Sequence, residues 1–178
     1  MTGGAAQLKW RTRPGRAVPG LACTLVFVFA IQGASASEHA ATLEIGASVE
    51  SELPLSGAHV GPSLAVETTP IEDGLELEFG VAASQNHHAT EWETDFLFKK
   101  PYTWSSTVEF MAGLGPTWTH TTEPTAPTNT IGAEFALDFM FWPRQKWGWF
   151  LEPAYGVAFA HGHSQSVGLT LGILFGIH

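Results

Sequence analysis

Hydrophobic and polar positions alternate with a period of two along most of this chain, and the clearest run is Ile131 to Trp142. Ile131, Ala133, Phe135, Leu137, Phe139 and Phe141 take one parity, against Gly132, Glu134, Ala136, Asp138 and Met140 on the other. Successive side chains of a strand point to opposite sides, so each such segment separates an apolar medium from a polar one. The pattern recurs about eight times and predicts strands near 41–51, 58–68, 75–84, 90–99, 105–118, 130–142, 148–160 and 166–177. On the first, Leu43, Ile45, Ala47 and Val49 oppose Glu44, Gly46, Ser48 and Glu50. On the fourth, Trp92, Thr94, Phe96 and Phe98 oppose Glu91, Glu93, Asp95 and Lys99. The second strand carries Pro62 and is the weakest of the eight, because proline removes a ladder donor.

Alternation alone does not say which face is inside. A soluble periplasmic barrel of the lipocalin type turns its apolar face inward, whereas a membrane barrel turns it to lipid. Three features favour the membrane version. The polar face carries small residues such as Gly80, Gly113, Gly132, Gly156, Gly168 and Gly172 among its acids, as a narrow eight-stranded lumen requires. Aromatic residues gather at strand ends, with Phe98, Tyr102, Trp104, Trp142, Trp147 and Trp149 at one rim and Trp92, Trp118 and Phe159 at the other, as interfacial girdles do. The strands are also long enough to cross a bilayer when tilted. The expected fold is therefore all-β, an eight-stranded antiparallel up-and-down transmembrane barrel.

The N-terminal residues read as an export signal. Lys9, Arg11, Arg13 and Arg16 precede the apolar run Leu21 to Ile31, and Ala34-Ser35-Ala36 supplies a small-x-small cleavage site. The run is too short to span a bilayer as a helix. Cys23 sits near its start rather than after it, which argues against lipidation. The expected organisation is a signal peptide over 1–36 and one barrel domain over 37–178, exported to the outer membrane of a Gram-negative envelope as a monomer in contact with lipid.

Past residue 36 the chain has no cysteine, and Lys99, Lys100, Arg144 and Lys146 stand against all seventeen acids. That balance excludes nucleic acid, whose binding rests on basic contacts to phosphate. It also means that the acids of the polar face, Glu76, Glu78, Glu91, Glu93, Asp95, Glu109, Glu134, Asp138 and Glu152, together with Glu44, Glu50 and Glu67, share that face with Lys99 as their only base. Pairing cannot satisfy them all, so the rest must hold protons, water or bound cations. A hydrated acidic core is one reading and a cation-binding lumen or cation-selective path is another, although eight strands leave little room for conduction.

Length, leader and dyad pattern resemble the small eight-stranded outer-membrane barrels of Gram-negative bacteria, the OmpA/OmpX-like architecture. The stretches Trp149-Phe150-Leu151-Glu152-Pro153-Ala154-Tyr155 and His163-Ser164-Gln165-Ser166-Val167-Gly168 resemble uncharacterised exported barrel proteins. Such barrels usually end in an aromatic residue read by the assembly machinery, whereas this sequence ends Phe175-Gly176-Ile177-His178.

Two further constellations bear on chemistry. His59, His87, His88, His120, His161 and His163 all fall near the expected extracellular rim. His161 and His163, with His87 and His88, form a candidate set for a divalent cation, since neutral imidazole suits zinc, copper or nickel. The plainer reading is histidine as an amphipathic residue at an interface. The second is enzymatic: lipid A deacylases use a rim histidine and serine with an orienting acid, and His163, Ser166 and Glu152 invite that comparison. Strand parity opposes it, because His163 shares a face with Gln165 rather than with the serines, and Glu152 belongs to the lumen. The expected role is accordingly non-enzymatic, an envelope structural or surface-interaction barrel that binds cations. The alternatives are a lipid A-modifying hydrolase and a soluble lipocalin-like binding barrel.

Overall fold

The computed structural model of the protein describes residues 41–54, 57–71, 74–85, 89–122, 128–159 and 163–177. The expected signal peptide lies outside the described residues. Eight strands follow one another: β1 Ala41–Leu53, β2 Ala58–Ile71, β3 Leu75–Gln85, β4 Thr90–Ser105, β5 Val108–Thr121, β6 Asn129–Arg144, β7 Trp147–Ala158 and β8 Gln165–Ile177. Each pairs antiparallel with its sequence neighbours, and β8 closes back on β1 from Ala41 opposite Ile177 to Leu53 opposite Gln165. Closure leaves no strand edge, so the ladders satisfy backbone donors and acceptors without water.

All eight expected strands are present, and the main difference lies in β4. The alternation predicts an end to that strand near residue 99 and the next strand from 105. The strand instead runs on to Ser105, and the turn is Ser106-Thr107. Lys99-Lys100-Pro101 looks like a break, but the alternation continues through it: Lys99 and Pro101 are buried while Lys100, Tyr102 and Trp104 are exposed. Pro62 likewise sits inside β2 opposite Ala47 without interrupting the register.

The two ends of the barrel differ. One has tight connections, Ser106-Thr107 and Gln145-Lys146 among them; the other carries the longer segments 122–128 and 159–164. Short turns face the periplasm and longer loops the exterior in barrels of this kind, so these are the turn end and the loop end below. Strands of 11 to 16 residues, at roughly 3.3 Å per residue, exceed what a tilted crossing needs.

Burial settles which face is inside. Ile45, Leu64, Phe79, Phe96, Phe98, Leu114, Phe135, Leu171 and Ile173 are exposed on the outer wall, Leu114 at 61 %. The acids Glu44, Glu67, Glu76, Glu78, Asp138 and Glu152 are buried within it. A continuous apolar outer wall of this extent is the surface of a membrane protein. The lipocalin-like alternative, with its apolar face inward, is not the arrangement found.

Candidate functional site: an acidic lumen with one end filled

The polar parity of each strand lines the lumen. Near the turn end that parity turns apolar, and Met111, Met140, Trp142, Phe150 and Leu174 form a buried cluster that fills it. Trp142 is a correction to the aromatic girdle expected at this rim: it is 2 % exposed and inside the barrel. Its parity is that of Met140 and Asp138, so it follows them inward. Trp104, Tyr102 and Trp147 do face outward at this end, as do Trp92, Trp118 and Phe159 at the other. The large Phe150 ring fits because small residues face it. A Cβ added to Gly46 would meet Phe150 Cζ at 3.2 Å, and one added to Gly172 would meet Phe150 Cε1 at 2.5 Å.

Above this plug sits Lys99, fully buried. Its ammonium donates to Glu78, to Asp138 Oδ2 at 2.9 Å and to Glu152 Oε2 at 2.9 Å, and lies 3.9 Å from Glu67 Oε1. Four strands therefore send carboxylates to one cation: β2, β3, β6 and β7. Glu67 and Glu78 face each other directly across β2 and β3, a like-charge pairing that is destabilising without a counter-ion. Gly113 makes space for the lysine stem, since a Cβ there would meet Lys99 Cγ at 2.8 Å. Charge still exceeds what one ammonium balances. Glu44 Oε1, Glu67 Oε1, Asp95 Oδ1 and Asp138 Oδ1 are buried with no hydrogen-bond partner.

Toward the loop end the lumen opens into a cavity of about 80 Å³. Glu44, Glu78, Asp95 and Glu152 line its deeper part, and Glu50, Glu91, Glu93 and Glu134 complete the carboxylates on its wall; among the described residues no lysine or arginine lines it. His59 also lines it, opposite Glu50 on β1. The sequence reading grouped His59 with the rim histidines, but its parity turns it to the lumen. Glu76 is buried next to Lys99 in the ladder, and Glu109 belongs to the same inward parity on β5.

The other candidate residues are less convergent. His163 is exposed at the loop end in a left-handed backbone conformation, φ 57°, with its ring edge-on to Phe159. His87, His88 and His161 lie outside the described residues. His120 faces outward beside Trp118, and its Nδ1 is 3.0 Å from Asn129 Oδ1. Glu152 lies opposite Thr170 on β8, four residues from Ser166. At roughly 3.3 Å per residue that separation is about 13 Å along the strand, so the structure does not assemble His163, Ser166 and Glu152 into a triad. Among the described residues, the side chains spaced to hold a metal are carboxylates: Glu44, Glu78 and Asp138. Sequence reasoning put Glu44 on the polar face but not among its principal lumen acids. The signal that finds it is register, which sets Glu44 on β1 beside the β2–β3 acids.

Closed eight-stranded topology, an apolar outer wall and a polar interior define the class, that of small eight-stranded outer-membrane β-barrels. No family model matches the chain, and no curated protein sequence matches it. Solved structures do. Neisserial surface protein A superposes with a TM-score of 0.61 at 11 % identity, covering 79 % of this chain and 98 % of that one. The outer membrane protein OprG from Pseudomonas aeruginosa gives 0.58 at 13 %, covering 83 % and 99 %. The outer membrane enzyme PagL gives 0.51 at 7 %, covering 75 % and 99 %. At these identities the likeness is one of fold.

Proposed function

We propose that this protein is a non-enzymatic barrel of the bacterial outer membrane, exported by a cleaved signal peptide, that acts in envelope structure or surface interaction and holds cations in its lumen. The observation that carries the reading is the loop-end cavity, whose described lining holds eight carboxylates and no lysine or arginine and is backed by the apolar plug. Such a chamber concentrates positive ions from the outer side and gives them no exit at the turn end. It is a well rather than a pore. The hydrolase reading has a fold neighbour in an outer membrane enzyme, but the separation of Ser166 from Glu152 speaks against a triad.

The test is fractionation of the expressed protein, compared on gels with and without heating, with mass spectrometry of lipid A from the same cells. Retention in urea-washed outer membranes, a heat-dependent mobility shift and a lipid A profile indifferent to His163→Ala are expected. Release with the periplasmic fraction would overturn the location, and a lipid A acylation change abolished by His163→Ala would overturn the non-enzymatic role.

A further inference from the structure

We propose that Glu44, Glu78 and Asp138 form a discrete binding site for one hard divalent cation of the Ca²⁺ class, deep in the lumen beside Lys99. The proposal rests on the reading of the lumen as a cation well and names the place where an ion is held.

Three strands far apart in sequence build the site, with Glu44 from β1, Glu78 from β3 and Asp138 from β6. One carboxylate oxygen from each lies within 4.8 Å of the other two. Two oxygens bound to the same Ca²⁺, each at about 2.4 Å, are separated by at most about twice that distance, so the three span one ion of this size. All three residues are buried, Glu44 at 2 % exposure and Asp138 at 0 %.

The independent observation is the state of their oxygens. Glu44 Oε1 and Asp138 Oδ1 are buried without any hydrogen-bond partner, although a buried carboxylate oxygen left unpaired is costly. Lys99 does not remove that cost, because it bonds Asp138 through Oδ2 and leaves Oδ1 over. Asp138 therefore has one oxygen for the ammonium and one for a second positive centre. The buried Ser63 hydroxyl, also without a partner, lines the same cavity as Glu44 and Glu78.

Donor chemistry sets the class of ion. The set is all oxygen, with no thiolate or imidazole, which selects hard cations over zinc or copper. Ca²⁺ takes six to eight oxygens and tolerates irregular geometry, whereas Mg²⁺ demands a near-ideal octahedron. A cavity of about 80 Å³ adjoining Glu44 and Glu78 has room for the waters that complete such a shell. This carboxylate site is distinct from the rim set His87, His88, His161 and His163.

Calorimetric titration of CaCl₂ into the folded full-length barrel in zwitterionic micelles tests the site, with folding of every variant checked by heat-dependent gel mobility. One Ca²⁺ per barrel is expected, with affinity falling at least tenfold in Glu44→Gln and again in Asp138→Asn, and staying within about twofold in Glu109→Gln. An equal loss in Glu109→Gln would mean a diffuse field rather than a site and would overturn the proposal. Binding unchanged in both Glu44→Gln and Asp138→Asn, but weakened by Glu91→Gln with Glu93→Gln, would overturn the deep site while leaving the cation well standing. No Ca²⁺ uptake by the parent protein would overturn both. Because the parent titration stands alone, failure of a variant to fold leaves the proposal exposed to refutation.

Discussion

Lys99 is the sharpest point at which to perturb the barrel. Lys99→Met keeps most of the aliphatic stem that packs against Gly113 and deletes only the ammonium. The loss is the donor to Glu78, Asp138 and Glu152 and the charge 3.9 Å from Glu67. Hydrogen bonds to charged groups contribute roughly 1.5–3 kcal/mol each. Their full sum overstates the effect, because removing the lysine also returns the cost of having desolvated it. Breaking a buried ion pair from one side costs roughly 3–5 kcal/mol, and that is the expected destabilisation at about pH 7.5. It corresponds to a factor of roughly 10² to 10⁴ in the unfolding equilibrium. Urea titration of the barrel in lipid vesicles, followed by tryptophan fluorescence and gel mobility, reads it directly.

A compensating change is a second check on the same variant. Adding Asp138→Asn and Glu152→Gln to Lys99→Met should recover part of the loss, because buried charges and their partner are then removed together. A deficit below about 1 kcal/mol at neutral pH, or no recovery on adding Asp138→Asn and Glu152→Gln, would refute the claim that Lys99 neutralises this layer.

Two other substitutions probe the plug and the wall. The double change Phe150→Ala and Trp142→Ala removes the two largest rings of the turn-end cluster and should cost at least the roughly 3–5 kcal/mol of one large aromatic truncation. It should also give cation-selective current in planar bilayers where the parent is silent; silence in a folded variant would mean that the rings are not the barrier. Leu114→Arg, on the outer wall midway along β5, should destabilise the barrel in vesicles by roughly 2–4 kcal/mol, and an effect near zero by urea titration would count against lipid at that face.

The outline of this fold was legible because one local rule, side-chain parity, decides both strand identity and sidedness. That rule puts Glu44, Glu67, Glu76, Glu78, Asp138 and Glu152, all buried, on the inward parity, and it also bears on Trp142. Trp142 has the parity of Asp138, so it belongs inside. Aromatic residues near a strand end suggest a girdle by composition, and composition was followed where parity was the stronger constraint. Lys99 was recognised as the lone base of its face, but Lys99-Lys100-Pro101 suggested a turn because a lysine pair and a proline are poor strand residues. Nothing local shows that four carboxylates from other strands stabilise it there. The Glu44–Glu78–Asp138 cluster is less legible still. It depends on the stagger with which β8 returns to β1, and that is a property of closure rather than of any single strand.

Depth explains where the one lysine of the lumen stands. Glu50, Glu91, Glu93 and Glu134, at the loop-end side of the lumen, are only partly buried and line the cavity. Glu44, Glu67, Glu78 and Asp138 are buried almost completely, and the plug keeps water from reaching them through the turn end. For a buried carboxylate the cost of leaving water is several kcal/mol, and only a positive centre at contact distance offsets it. Lys99 stands at this depth and not higher, because here water cannot take its place. Placing the lysine at the level of Glu91 would leave the inner four without a counter-ion. The same reasoning locates the remaining need for positive charge at the inner oxygens that Lys99 does not reach, those of Glu44 and Asp138, and makes the outer acids the route by which a cation arrives there.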